Sequence, residues 1–190
     1  MASTVEICNR ALQKLGAKRI VSLSDDSVNA RACNAAFESI KLAELRNNTW
    51  NFSISRAQLA ADVIAPSFGP AYSYTLPSDF LRLLPPDPES NSERLDWSIE
   101  GKKIFTNDSA PLEIRYVANV TDPNQMDAAF REALSCKLAY ELCEELTQSN
   151  TKKADLREDY KKAIQDAGLT SAIEKPSVLP PEDVWITVRR

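Results

Sequence analysis

Chemistry in this chain must come from carboxylates, thiols, hydroxyls and lysines, because the 190 residues contain no histidine. That removes Ser-His-Asp and Cys-His catalysis, His-ligated zinc and the usual proton shuttle near pH 7. Four acids, Asp87, Glu89, Glu93 and Asp96, crowd the approach to Trp97. A glycosidase needs two carboxylates roughly 5 to 10 Å apart in a cleft that often has aromatic walls. Here the four lie in Pro85-Pro86-Asp87-Pro88-Glu89-Ser90-Asn91-Ser92 and its continuation, a loop composition that fixes no geometry. Solvated loop charge is the simpler reading, with a carboxylate-dependent glycan hydrolase as the enzymatic alternative.

Ser149 and Lys152 have the Ser-x-x-Lys spacing of some acyl-enzyme serines. They fall at an expected joint between helices, where capping accounts for the serine. Lys152, Lys153, Lys161 and Lys162 are interleaved with Asp155, Glu158 and Asp159, which suits a salt-bridged, solvated helix face. The four cysteines, Cys8, Cys33, Cys136 and Cys143, form no CxxC pair and sit in stretches that read as helix. They read as buried free thiols, and neither a metal nor a cofactor is expected.

Only four glycines occur, at 16, 69, 101 and 168, too far apart for a GxGxxG turn or a P-loop. The formal charge is −4, from 23 basic and 27 acidic residues, so the free protein has no bulk attraction for nucleic acid. No stretch reaches the roughly 18 apolar residues of a membrane span, and the N-terminus lacks the pattern of a secretory signal.

The elements that would position these groups follow from periodicity. A first helix is expected over residues 4–15, with Ser3 and Glu6 as a capping box, Gly16 as its stop, and Cys8, Ala11, Leu12 and Leu15 on one face. A second runs from the caps Asp25, Asp26 and Ser27 to about Arg46. Its expected stripe is Val28, Ala32, Ala35, Ala36, Ile40 and Ala43. Residues 50–121 change to a period of two. Leu95, Trp97 and Ile99 lead through Glu100-Gly101-Lys102 to Ile104 and Phe105 as a hairpin, with strands at Leu112–Tyr116 and Tyr72–Leu76. Helix returns at Asp122-Pro123, an N-cap followed by a proline at the first helical position. A fourth helix is expected from about Lys152 to Ala167, ending at Gly168 or one turn later. Residues 175–190 read as an extended arm with prolines at 176, 180 and 181 and an apolar tip at Val184, Trp185, Ile186 and Val188.

The fold class is therefore α+β and mainly helical. Residues 1–49 and 122–174 form a four-helix bundle drawn from both chain ends, 50–121 an inserted small antiparallel β region, and 175–190 a C-terminal arm. An apolar tip on such an arm suits docking on a partner, with Trp185 as its anchor.

Several stretches, taken in order over nearly the whole chain, resemble the tail tubular protein A family of short-tailed bacteriophages. They are Leu12-Gln13-Lys14-Leu15-Gly16; Trp50-Asn51-Phe52 with Arg56 and Leu59; and Tyr74-Thr75-Leu76-Pro77-Ser78-Asp79-Phe80-Leu81-Arg82. Further on come Trp97-Ser98-Ile99-Glu100-Gly101, Ile114-Arg115-Tyr116-Val117, Phe130-Arg131-Glu132-Ala133-Leu134 and Trp185-Ile186-Thr187-Val188-Arg189. The resemblance implies a non-enzymatic virion protein of the tail, assembled in the host cytoplasm. Members form a dodecamer ring, the head-to-tail adaptor between the portal protein and the tail nozzle. In some of these phages tail fibres attach near that junction, and DNA passes through the centre during ejection. The resemblance also implies that the C-terminal segment, here Val184, Trp185, Ile186, Val188, Arg189 and Arg190, engages the portal. In an adaptor, the loop bearing Asp87, Glu89, Ser90 and Asn91 is placed to meet another tail protein. A helical connector from a long-tailed phage is the other structural alternative, and the long β insertion speaks against it.

Overall fold

Ser3 opens the first helix by accepting a hydrogen bond from Glu6 N on its Oγ at 3.1 Å, and Gly16 closes it at φ 71°. This computed structural model describes residues 2–85 and 97–174. Helix α1 spans Thr4–Leu15 and buries Ile7 together with the four expected residues Cys8, Ala11, Leu12 and Leu15. The left-handed conformation at position 16 lets the chain turn sharply, and its N–H returns to Gln13 O and Leu12 O.

Helix α2 spans Val28–Asn47 and is capped by Ser27 Oγ on Ala30 N. Asp25 instead ties down the preceding turn, accepting from Val21 N and Ser22 N. The buried face differs from the expected alanine stripe. Val28, Ala35 and Ala43 are exposed, and the helix buries Ala30, Ala32, Cys33, Phe37, Lys41, Glu44 and Leu45. Phe37 and Leu45 have far more apolar surface to remove from water than any alanine, so they set the rotation of the helix.

The third helix, α3, spans Ala128–Thr147, five residues later than Asp122-Pro123 suggests. Asp122 and Pro123 instead form a hydrogen-bonded turn, with Gln125 N on Asp122 O and Met126 N on Pro123 O. The true cap is Asp127, whose carboxylate accepts from Ala129 N and Phe130 N. Gln148 adopts φ 51° and ends α3, and Ser149 caps α4. Helix α4 spans Asn150–Ile173, so Gly168 lies inside it rather than at its end.

Helix α3 is the common element: α1, α2 and α4 each pack on it. One apolar cluster takes residues from all four helices, among them Leu12, Phe37, Leu138 and Leu156. No described helix is long and apolar enough to cross a membrane.

Among the described residues six strands lie between α2 and α3. They are β1 (Ile54–Leu59), β2 (Tyr72–Thr75), β3 (Phe80–Leu83), β4 (Trp97–Glu100), β5 (Lys103–Thr106) and β6 (Leu112–Ala118). They form two antiparallel sheets of three, ordered β1-β6-β3 and β2-β5-β4. The β4–β5 hairpin turns at Gly101, which has φ 61°. The strand at Leu112–Ala118 does not continue that hairpin but lies at the centre of the other sheet. Its alternating Leu112, Ile114 and Tyr116 join Tyr74, Leu76 and Ile104 in a second apolar cluster to which both sheets contribute. Strands β1 and β3 fall outside the sequence expectation. In β1 the inward positions are Ser55, Ala57 and Leu59, of which only Leu59 is large and apolar, and β3 reads Phe-Leu-Arg-Leu without alternation.

Candidate functional site

The Ser149–Lys152 spacing, the basic face of α4 and the four cysteines lie among the described residues. Lys152 N meets Ser149 Oγ at 3.4 Å as part of the α4 cap, and Lys152 Nζ reaches away to donate to Leu15 O at 2.6 Å. Lys152 thus closes the C-terminal end of α1 while Ser149 caps α4. On the basic face, Lys153 pairs with Glu144 of α3 at 2.6 Å and Lys161 with Glu158 at 2.7 Å. All four cysteines are buried and unbridged. Cys8 on α1 lies against Cys33 on α2, where hydrogen bonding to Cys33 and burial push the Cys8 thiol well above its usual range.

The buried charges were not legible as such. Glu44 is 3 % exposed and Lys41 2 % exposed, both on the inner face of α2. Tyr160 of α4 donates to the Glu44 carboxylate, its Oη lying 2.9 Å from Oε1 and 3.0 Å from Oε2. Lys137 of α3 pairs with Glu141 at 2.9 Å and stands 5.1 Å from the centre of the Tyr160 ring. Burial pushes the Glu44 carboxyl above the ordinary carboxylate range, and the Tyr160 hydroxyl and Lys137 pull it partly back. Burial, then the Glu44 charge, push the Tyr160 hydroxyl up in turn. The group ties three helices together, and a solvated face is what pattern reading assigns to such residues.

Helices α1 and α3 cross beside an open, polar groove of about 650 Å³. Across it Glu132 takes Arg10 Nε at 3.0 Å, Arg10 Nη2 at 3.1 Å and Lys14 Nζ at 2.9 Å. Hydrogen bonding from Arg10, then Lys14, holds the Glu132 carboxyl below its usual range. Arg131 donates through Nη1 to Pro123 O and Met126 O and so staples the turn before α3.

The helical and β parts meet at Trp50-Asn51-Phe52. Trp50 is 2 % exposed, and its indole Nε1 donates to Glu44 O at 3.2 Å. Its ring stands 5.0 Å from Phe130 and 6.3 Å from Phe52, and Phe52 is 5.1 Å from Phe130. Asn51 takes hold of the end of α4. Its N–H donates to Ser171 Oγ, and its Nδ2 donates to Ser171 O and Glu174 Oε2. Arg46 donates to Leu81 O and Arg82 to Thr49 Oγ1, which fixes β3 to the end of α2. A pocket of about 190 Å³ lies here, with Trp50, Phe52, Met126, Thr170 and Glu174 among its walls.

The arm residues Val184, Trp185, Ile186, Val188, Arg189 and Arg190 lie outside the described residues. So do Asp87, Glu89, Ser90 and Asn91 of the acidic loop, with Glu93 and Asp96. The structure fixes their points of departure. The last described residue, Glu174, is held by Asn51 at the aromatic junction. On either side of residues 86–96, Leu84 donates its N–H to Arg115 O and Trp97 begins β4. Among the described residues no group of histidine, cysteine, aspartate and glutamate is arranged to hold a metal. Neither a protein-family model nor a curated protein matches the chain.

Proposed function

We propose that this chain is a non-enzymatic structural protein of a phage tail, the head-to-tail adaptor between portal and nozzle. In this reading the four helices act as a bundle built around α3, subunits close into a ring of twelve, and DNA passes through without being held. The net charge of −4 supports a conduit of that kind, since a basic channel would bind its cargo by counterion release.

One observation carries the reading. Trp50, Asn51, Phe52 and Phe130 belong to separate stretches of the family resemblance, and they converge where α4 ends and residues 175–190 begin. An attachment arm needs a rigid root, and this junction supplies one by clamping Ser171 and Glu174 to the turn that joins helices and sheets. Beyond the root, Val184, Trp185, Ile186 and Val188 provide apolar contacts to the portal, and Arg189 and Arg190 provide charge for acidic partners. The three prolines at 176, 180 and 181 lower the entropy lost on docking. The acidic loop with Asp87, Glu89, Ser90 and Asn91 faces another tail component, the nozzle or a fibre.

The arm is tested by titrating purified portal with full-length protein, Trp185→Ala and a chain truncated after Glu174. Repetition of the contact around a ring multiplies each loss, so about 100-fold or weaker binding is expected for the truncation. Unchanged affinity of a folded, truncated chain assigns portal binding to the helical surfaces instead.

A further inference from the structure

Strand β1 is a regular, open edge. It pairs with β6 without interruption from Ile54 opposite Val117 to Leu59 opposite Leu112. Among the described residues nothing pairs with its other side, since the order of this sheet is β1-β6-β3. Every second residue of β1 therefore turns its N–H and C=O away from β6. The chain meets the other sheet only beyond the strand, where Asp62 N donates to Ser73 O at 2.8 Å. The Asp62 carboxylate fixes that crossing by accepting from Lys103 Nζ at 2.7 Å and Ser73 Oγ at 2.9 Å. Sheets ordinarily guard an edge with a bulge, a proline, a short strand or a covering element. The opposite edge obeys this: β3 has an irregular register between Phe80 and Arg82, and Arg46 at the end of α2 donates to Leu81 O. In the other sheet the edges β2 and β4 have four residues each. Strand β1 has six residues, no proline and no bulge.

A segment suited to this edge begins beside it. Asn51, three positions before β1, holds the last turn of α4, with Nδ2 2.6 Å from Ser171 O and 2.9 Å from Glu174 Oε2. Beyond Glu174 the chain first supplies Pro176, Pro180 and Pro181, which have no N–H to give a ladder. The first run of strand composition is Val184-Trp185-Ile186-Thr187-Val188, all β-branched or aromatic. Val184 lies ten positions past Glu174, a reach of at most roughly 35 Å. Strand β1 is about 20 Å long. The chain can therefore pass the far end of β1 and turn back at Pro180-Pro181-Glu182-Asp183, which has turn composition.

We propose that, in the free subunit, residues 184–188 of the same chain add to the outer edge of β1 as a fourth, antiparallel strand of the β1-β6-β3 sheet. The docking concerns the subunit before it meets any partner, so it goes beyond the portal reading and does not depend on it. Main-chain hydrogen bonds supply the attachment, as they do when an extended peptide joins an open sheet edge. No charge has to be stripped from the added strand, because residues 184–188 carry none, and the one charged residue of β1 is Arg56. Tethering argues for the same chain over another copy. A segment anchored three positions from the strand is presented to it at an effective concentration on the order of millimolar. Separate copies of net charge −4 repel one another. Docking in this way covers two liabilities at once, an open edge and an apolar run, and any partner that takes the arm has to strip the added strand first.

The experiment reads amide hydrogen exchange, residue by residue by NMR, in the full chain without portal. It compares the natural protein, the double variant Trp185→Pro/Ile186→Pro and the control Val178→Pro. Adjacent strand residues point their N–H groups to opposite sides, so the double variant loses a donor facing β1 in either register. The β1 amides that point away from β6 are expected to be protected in the natural protein and in the control. In the double variant their exchange should rise by about 10-fold or more, with the α3 amides unchanged. A photo-cross-linking phenylalanine analogue at position 186 should label residues 54–59, and mixing isotope-labelled with unlabelled chains should show that the link lies within one copy. Unchanged β1 exchange in the double variant, or acceleration that extends equally to α3, overturns the proposal. Cross-links to another surface, or to β1 of a second copy, overturn it as well. Each of these results leaves the portal reading as it stands, because no portal is present.

Discussion

At Glu44 a carboxylate sits inside the contact between α2 and α4 with the Tyr160 hydroxyl on both oxygens. Its folded pKa is raised above the unfolded value, chiefly by burial. The contribution of this group to stability is therefore fully present below the unfolded carboxylate range and is lost as pH rises through the folded pKa. Glu44→Gln keeps an acceptor for Tyr160 and removes the buried charge. It should be at least as stable as the natural protein at pH 8 and lose the site's pH dependence. Glu44→Ala leaves the hydroxyl without its acceptor and should cost about 1–3 kcal/mol. Urea unfolding at pH 5 and pH 8 reads both, and a glutamine variant much weaker than the natural protein at pH 8 contradicts the assignment. The sequence did not make this site legible, because an apolar stripe is recognised by excluding charges. Lys41 and Glu44 are buried through partners that lie elsewhere in the chain or at the stripe's edge, Tyr160 for one and Glu38, at 2.9 Å, for the other.

Element boundaries were legible where a cap and an apolar face agree and lost where they do not. Ser3 with Gly16, and Ser27, set α1 and the start of α2 at the expected residues. Asp122-Pro123 has the composition of a helix start, yet Asp127 stands three residues before Phe130, the first buried residue of α3, and the apolar face decides. Gly168 looked like a stop because glycine is common after helix ends. Here its φ is not positive and α4 continues to Ile173, held at its end by Asn51. A methyl group at position 168 would meet nothing within 4 Å. Gly168→Ala should therefore stabilise the protein by about 0.5–1 kcal/mol through helix propensity, read as a higher urea midpoint. A lower midpoint would show that the helix needs glycine there. In the β region, the hairpin and the central strand of Leu112–Ala118 follow from alternation. The pairing of that strand with β1 and β3 does not, since β1 turns only one large apolar residue inward.

Across the whole molecule, two apolar clusters divide the labour. One is lined by the four helices and the other by the two sheets, with Trp50, Phe52 and Phe130 belonging to the first at its border with the second. The end of α4 is held to the turn between helices and sheets by Asn51, and the loop between β1 and β2 is held at its base by Asp62. Neither residue set was recognisable from chemistry-bearing motifs, because the contacts join residues far apart in the chain. The stretches of family resemblance pointed to the junction without giving its geometry. Contacts such as Asn51 with Ser171 and Glu174 link residues more than a hundred positions apart. The central claim is that the chain is a ring-forming adaptor on a portal. Electron microscopy of the purified full-length protein mixed with portal tests it most directly, viewed end-on with the copy number checked by particle mass. The account predicts a closed ring of twelve copies seated coaxially on the portal with an open channel. Portal rings left bare beside monomeric protein at saturating concentration would contradict it.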